Sequence, residues 1–204
     1  MTINELYDLL CDEDFQDHKT GSLFFPAYLY IYDPTKEYYI REQIQQMKER
    51  LIRPNTYVDV LILNLFTEFL DYLKAKDFGG RPLLDALLEN ELKDSGRVTE
   101  SLRREATRGK FLSELNNKIK EHIEPSDDMK KSFVFVHGFG EIYPYLRASK
   151  FLSNFEKYIS GYKIILFYPG TAKDYYSMFD LLNDENPYRA IKLINPEDQL
   201  KLNN

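Results

Sequence analysis

Tryptophan is absent from this 204-residue chain, and cysteine occurs once, at Cys11. A lone thiol excludes an internal disulfide framework and any multi-cysteine metal site, and it suits a reducing compartment. Histidine is nearly as scarce. His18, His122 and His137 are widely separated, and neither H-x-x-x-H nor H-E-x-x-H occurs. A zinc or di-iron centre would have to be assembled from distant residues, so the expectation is no metal and no cofactor. Long apolar runs are missing as well. Val60 to Leu63 and Phe133 to Val136 fall far short of the roughly 20 residues that span a bilayer. Met1 to Leu10 carries Glu5 and Asp8 in an amphipathic pattern, not a basic segment followed by an apolar one, so no secretory leader is expected and the location is cytoplasmic.

Positive charge is in short supply, with 27 Lys and Arg against 33 Asp and Glu and a net charge of −6. Broad affinity for a phosphate backbone is therefore not expected, because it depends on Lys and Arg replacing condensed counterions. The exception is Arg97 to Lys120, with seven basic residues against three acidic ones, which leaves that segment at +4 and the remainder at −10. Within it Arg103, Arg104, Arg108 and Lys110 form a basic run that reads as a solvated helix face, a surface for an acidic protein partner, or a weak nucleic-acid contact.

What the chain does have is a mass of aromatic residues, 16 Tyr and 14 Phe, and an alternation of strand-like and helical patterns. A chain of this size can bury roughly 70% of its extended surface, so one core and one domain over 1–204 are expected. Ile3 to Leu10 has helical spacing, and the polar stretch Asp12 to Ser22 is a connector. Pro26 to Tyr32 is dense in strand-forming aromatics. Asp33-Pro34 then opens a helix to about Ile52, with Asp33 as cap and Pro34 at the first helical position. Tyr57 to Leu63 is a second strand, apolar enough to be buried on both faces. Asn64 caps a helix over Leu65 to Lys76, and Gly79-Gly80 breaks it.

Two further helices, Pro82 to Leu92 and about Thr99 to Ile123, make a helical excursion over about 79–125 between strands two and three. Ser132 to His137 and Lys163 to Tyr168 are the next strands, the latter closed by Pro169-Gly170, with a loop over Gly138 to Pro144 and a helix between them. A short helix over Tyr175 to Leu182, a turn over Asn183 to Pro187 and a last strand over Arg189 to Ile194 complete the chain. The expected fold is α/β: a three-layer, Rossmann-like domain with a mainly parallel sheet of about five strands. Ligands in such folds lie beyond the carboxyl ends of the strands, which selects the loops opening at Asp33, Asn64, His137 and Tyr168.

Those loops lack the usual chemistry. The turn after the first strand, Tyr32-Asp-Pro-Thr-Lys-Glu37, has no glycine; Asp33 puts negative charge where a phosphate would sit, and Pro34 removes a donor. His137-Gly-Phe-Gly140 is superficially like the oxyanion segment of α/β-hydrolases, but no G-x-S-x-G elbow accompanies it and no histidine follows it. Gly138 and Gly140 are read as turn residues that permit positive φ. The pair Asp127-Asp128 lies in a linker, and no acid–base pair stands out among the other carboxylates. Tyr143, Tyr145, Tyr168, Tyr175 and Tyr176 gather near the later loops, as a protein-contact surface or as ordinary core.

Three segments carry a family resemblance: Gly138-Phe-Gly-Glu-Ile-Tyr-Pro-Tyr-Leu-Arg147, Leu166-Phe-Tyr-Pro-Gly170 and Asn186-Pro-Tyr-Arg-Ala-Ile191. Together they resemble the BrxB family of the bacterial BREX phage-exclusion systems, whose members carry a similar G-x-G-E-[VI]-Y-P-[FY]-L-R segment, a later F-Y-P-G turn and a closing N-x-Y-R-A-F-like strand. Pro187 stands where a tyrosine is more usual, and Ile191 replaces the phenylalanine. The resemblance implies a small cytoplasmic component of an anti-phage operon, working beside a DNA methyltransferase, a large ATPase, an alkaline-phosphatase-like protein and a Lon-like protease-related factor. It brings no catalytic activity with it.

The motif positions carried over are Gly138, Gly140, Glu141, Tyr143, Pro144, Arg147, Pro169, Gly170, Tyr188 and Arg189, where Gly and Pro can simply shape turns and Glu141 can pair with Arg147 or Arg189. The function expected on this basis is a non-catalytic adaptor whose foremost partner is the alkaline-phosphatase-like component. The alternative is a divergent nucleotide-binding or hydrolytic domain using Glu141, Arg147 and Arg189, since Arg suits bidentate phosphate contacts.

Overall fold

Apolar side chains alternate along the strands, and the alternation sorts them into two cores. The computed structural model describes residues 1–16, 27–54, 56–123, 131–172, 176–178, 182–184 and 191–192. In chain order the elements are α1 (Ile3–Cys11), α2 (Glu13–Gln16), β1 (Ala27–Tyr32), a 3-10 turn (Pro34–Lys36), α3 (Glu37–Leu51), β2 (Val58–Asn64), α4 (Leu65–Ala75), α5 (Leu83–Glu91), α6 (Ser95–Thr107) and α7 (Gly109–Ile123). Next come β3 (Lys131–His137), α8 (Phe139–Ile142), α9 (Ala148–Phe155), β4 (Lys163–Ala172), β5 (Tyr176–Met178), β6 (Leu182–Asp184) and β7 (Ile191–Lys192).

The sheet runs in the order β2-β3-β4-β1-β7, and every neighbouring pair along it is parallel. Successive strand residues point to opposite faces. Ala27, Leu29, Val134, Val136, Ile164 and Leu166 therefore face α4 to α9, while Tyr28, Tyr30, Phe133, Phe135, Ile165 and Phe167 face α1 and α3. The result is the expected three-layer α/β sandwich. Burial of each such phenylalanine contributes roughly 1.5–3 kcal/mol, and Phe135 against Phe167 adds an edge-on ring contact at 5.4 Å.

Several local expectations give way to tertiary pairing. Pro169-Gly170 does not close β4, which runs on to Ala172. Pro169 lies opposite Tyr32 at the end of the β1 ladder, and Gly170 begins the antiparallel ladder to β5. A residue without an N–H is tolerated where one ladder hands over to the next. The helix expected over Tyr175 to Leu182 is instead strand at Tyr176–Met178, and the turn expected from Asn183 begins inside β6. Pairing with the extension of β4 overrides the helical spacing of the aromatics. The long helix expected over Thr99 to Ile123 is two helices, broken at Arg108, whose backbone is extended. β7 falls within the expected last strand. Tyr175, Tyr188, Arg189, His18 and Asp127-Asp128 lie outside the described residues.

Candidate functional site

Because β1 to β4 are parallel, their carboxyl ends share one edge of the sheet, and the turns there carry the polar side chains. At β1, Asp33 caps the 3-10 turn, its carboxylate accepting from the Thr35 N–H at 2.9 Å and the Thr35 hydroxyl at 2.7 Å. Those bonds from Thr35 lower the Asp33 pKa, by the side chain first and the backbone second. At β2, Asn64 caps α4, its Oδ1 accepting from the Phe66 and Thr67 N–H groups at 2.9 and 3.2 Å.

The Asn64 amide also reaches across the edge and donates to Glu141 Oε2 at 2.8 Å. The other carboxylate oxygen of Glu141 accepts from Arg41 Nη2 at 2.6 Å. Arg41 in turn donates through Nε to Glu37 Oε1 at 2.8 Å, and Glu37 Oε2 accepts from the Tyr32 hydroxyl at 2.5 Å. A continuous chain of charge-assisted hydrogen bonds, Tyr32–Glu37–Arg41–Glu141–Asn64, thus ties β1, α3, α8 and β2 together. Burial alone would depress the Arg41 pKa; its bonds to Glu37 and Glu141 outweigh that and hold it above normal. Burial, then the bond to the Glu37 carboxylate, pushes the Tyr32 phenol well up.

Gly138 explains how Glu141 gets there. It has φ of 85°, and a Cβ on it would stand 2.6 Å from Asn64 Oδ1 and 3.2 Å from Glu141 Oε2. Only glycine allows the chain to turn tightly enough past Asn64 to begin α8. Gly140, read from the sequence as a second turn residue, is instead a helical residue within α8. His137, just before, is only 7% exposed, and its Nδ1 has no hydrogen-bond partner among the described residues. Burial is the main cause of its lowered pKa; the Arg41 charge adds to it, and Glu141 and Glu37 oppose it.

The sequence pairs the Glu141 carboxylate with Arg147 or Arg189 as its expected cation. Among the described residues its guanidinium partner is that of Arg41, which no sequence motif marks. A Glu37/Arg41 pair at i,i+4 was readable as a helix-face contact; its link to Glu141 across 100 positions was not. Arg147 sits at the start of α9 and, with Arg103 and Lys150, borders a separate cavity of about 630 Å³. Tyr143, Tyr145 and Pro144 line it too, the peptide before Pro144 being cis.

The basic run is therefore divided. Arg103 faces that cavity, Arg104 and Arg108 border a second one of about 600 Å³ between α5 and α6, and Lys110 lines neither. In the second cavity Glu105, nearly buried, accepts from Lys76 at 2.5 Å and from Tyr72 at 2.8 Å. Of the tyrosines, Tyr168 is fully buried core, while Tyr143 and Tyr145 are half-buried against it. His122 lies 2.9 Å from Asp59. Among the described residues no group of three or more His, Cys, Asp or Glu side chains is placed to share a metal ion, and no helix is long and apolar enough to cross a membrane.

The family model described as "BREX protein BrxB" matches residues 61–193, from within β2 to beyond β7. This chain belongs to the BrxB family. Among curated relatives it is similar to "BREX protein BrxB" of Bacillus cereus (strain H3081.97), 26% identical over 194 residues that cover 94% of this chain and 95% of that one. It is also similar to "BREX protein BrxB" of Escherichia coli O9:H4 (strain HS), 25% identical over 170 residues, 82% of this chain and 77% of that one. No solved structure gives a significant match. Asn64, His137, Gly138 and Glu141 lie inside the segment matched by the BrxB model, whereas Tyr32, Glu37 and Arg41 precede it.

Proposed function

We propose that this BrxB-family chain is a non-catalytic assembly component of a BREX-type phage-defence complex, and that it docks on other components of the system, the alkaline-phosphatase-like protein first among them. The observation that carries this reading is the closed polar chain at the strand edge. Where an α/β enzyme would keep reactive groups open to a ligand, Glu141 is engaged on one oxygen by Arg41 and on the other by Asn64, and Glu37 is likewise held by Arg41 and Tyr32. Groups engaged in this way stiffen the edge, which is what a docking scaffold needs.

Beside this stiffened edge, at the start of α3, Tyr38 is 84% and Tyr39 49% exposed. Exposed tyrosines on a rigid base suit a protein contact, because the ring buries area while the hydroxyl stays wet. The alternative, a nucleotide-binding or hydrolytic centre at the strand ends, has less behind it, since Glu141 is already held and Arg147 borders a different cavity.

Affinity purification of the tagged chain from cells expressing the whole operon tests the reading. The expected result is recovery of the alkaline-phosphatase-like component, reduced at least tenfold by Tyr38→Glu with Tyr39→Glu. A tagged chain that brings down no other component of the system would refute it.

A further inference from the structure

The cavity between α6 and α9 is not part of the strand-edge network, and its chemistry is different. Arg103 from α6 and Arg147 at the start of α9 supply two cations, Lys150 borders it one turn on, and among the described residues no acidic side chain lines it. In a chain of net charge −6 that is a local reversal of sign. Surface cations in this protein often have a carboxylate in reach, as Arg81 has Glu89 and Lys118 has Glu68. Among the described residues neither Arg103 nor Arg147 has one. α9 also begins at this cavity, and its N-cap residue Arg147 makes no side-chain cap bond that would turn the guanidinium back on the helix. Tyr143 and Tyr145, half-buried, line the same cavity, as does Asn154, whose amide donates to the Thr107 carbonyl at 3.4 Å.

At about 630 Å³ the cavity lies in the usual range for small-ligand sites, about 300–1,000 Å³. We infer that it binds a compact phosphorylated ligand of the nucleoside di- or triphosphate class, with the phosphates on Arg103 and Arg147 and the base against Tyr143 and Tyr145. Arg is suited to bidentate phosphate contacts, and aromatic rings accept any base by stacking. A nucleic-acid strand is disfavoured, because the basic run is split between two cavities and offers no continuous track for a backbone. The inference does not depend on the assembly role proposed above, since the cavity lies away from Tyr38 and Tyr39.

Calorimetric titration of the purified full chain with ADP, pyrophosphate, adenosine and a single-stranded oligonucleotide tests it. ADP is expected to bind at least tenfold more tightly than adenosine or pyrophosphate, and its affinity is expected to fall at least tenfold in Arg147→Glu and in Arg103→Gln. Lys110→Glu, outside the cavity, is expected to leave ADP binding unchanged. The unliganded melting temperature of each variant reports folding, and the exposed Arg103 is the substitution least able to disturb it. No ADP binding at millimolar concentration, ADP binding indifferent to both arginine substitutions, or pyrophosphate or the oligonucleotide binding as tightly as ADP would each overturn the assignment.

Discussion

Removing the Arg41–Glu141 contact in a double-mutant cycle measures how firmly the strand edge is closed. The side chains are 30% and 29% exposed and meet at 2.6 Å, so this is neither a solvated surface pair nor a dry buried one. A solvated pair is worth about 0.2–1 kcal/mol, and a hydrogen bond to a charged group about 1.5–3 kcal/mol. Each group also has a second partner to orient it, Glu37 for Arg41 and Asn64 for Glu141, which lowers the entropy of holding the pair. A coupling of about 1–2 kcal/mol follows. Arg41→Met and Glu141→Gln should each cost about 2 kcal/mol, because each leaves a partly buried group without its counter-charge.

For a domain of this size that corresponds to about 4–8 °C in melting temperature. Urea denaturation of the wild type, the two single variants and the double variant gives the coupling by linear extrapolation. The internal comparison is Asp71 with Lys74, at 3.3 Å and with side chains 62% and 59% exposed, where coupling below about 0.5 kcal/mol is expected. If Arg41–Glu141 couples no more strongly than Asp71–Lys74, the edge is not a connected network and the reasoning fails.

Two further outcomes follow from the same turn. Gly138→Ala should cost about 1–2 kcal/mol for left-handed backbone plus a steric penalty against Asn64, whereas Gly161→Ala, with φ of 79° and no atom within 4 Å of its added Cβ, should cost the backbone part alone; equal losses in urea melts would remove the close approach as the reason for glycine at 138. His137 has a lowered folded-state pKa, so the unfolded chain binds a proton at higher pH than the folded one, and stability should fall as pH drops below about 6.5. Subtracting the pH profile of His137→Gln from that of the wild type isolates this contribution, and a flat difference between pH ~7.5 and ~5 would contradict it.

Much of the frame was legible because local and tertiary preferences agree there. Phe133 to Val136 forms a central strand buried on both faces, Val60 to Leu63 pairs with it as the edge strand with Leu61 and Ile62 half-buried, and Asn64 and Asp33 cap with their own side chains, a purely local act. What failed was decided elsewhere in the chain. Tyr176–Met178 is extended because β4 offers it a ladder, and Pro169 remains in a strand because two ladders meet at it. At the candidate site Gly138 and Glu141 were marked by motif, but Arg41 was not. It sits on an unremarkable Glu–Arg helix face until the fold brings α8 beside it.

The strand order also bears on how the chain is made. β1 is built early, yet its ladder partners among the described residues are β4 and β7, with Ala27 opposite Ile164, 137 positions later. At about 5–20 residues per second a ribosome needs roughly 7–27 s to deliver that partner. For that interval Tyr28, Tyr30 and Tyr32 belong to a strand whose described ladder partners do not yet exist, so β1 can zip into the sheet only after most of the chain has been made.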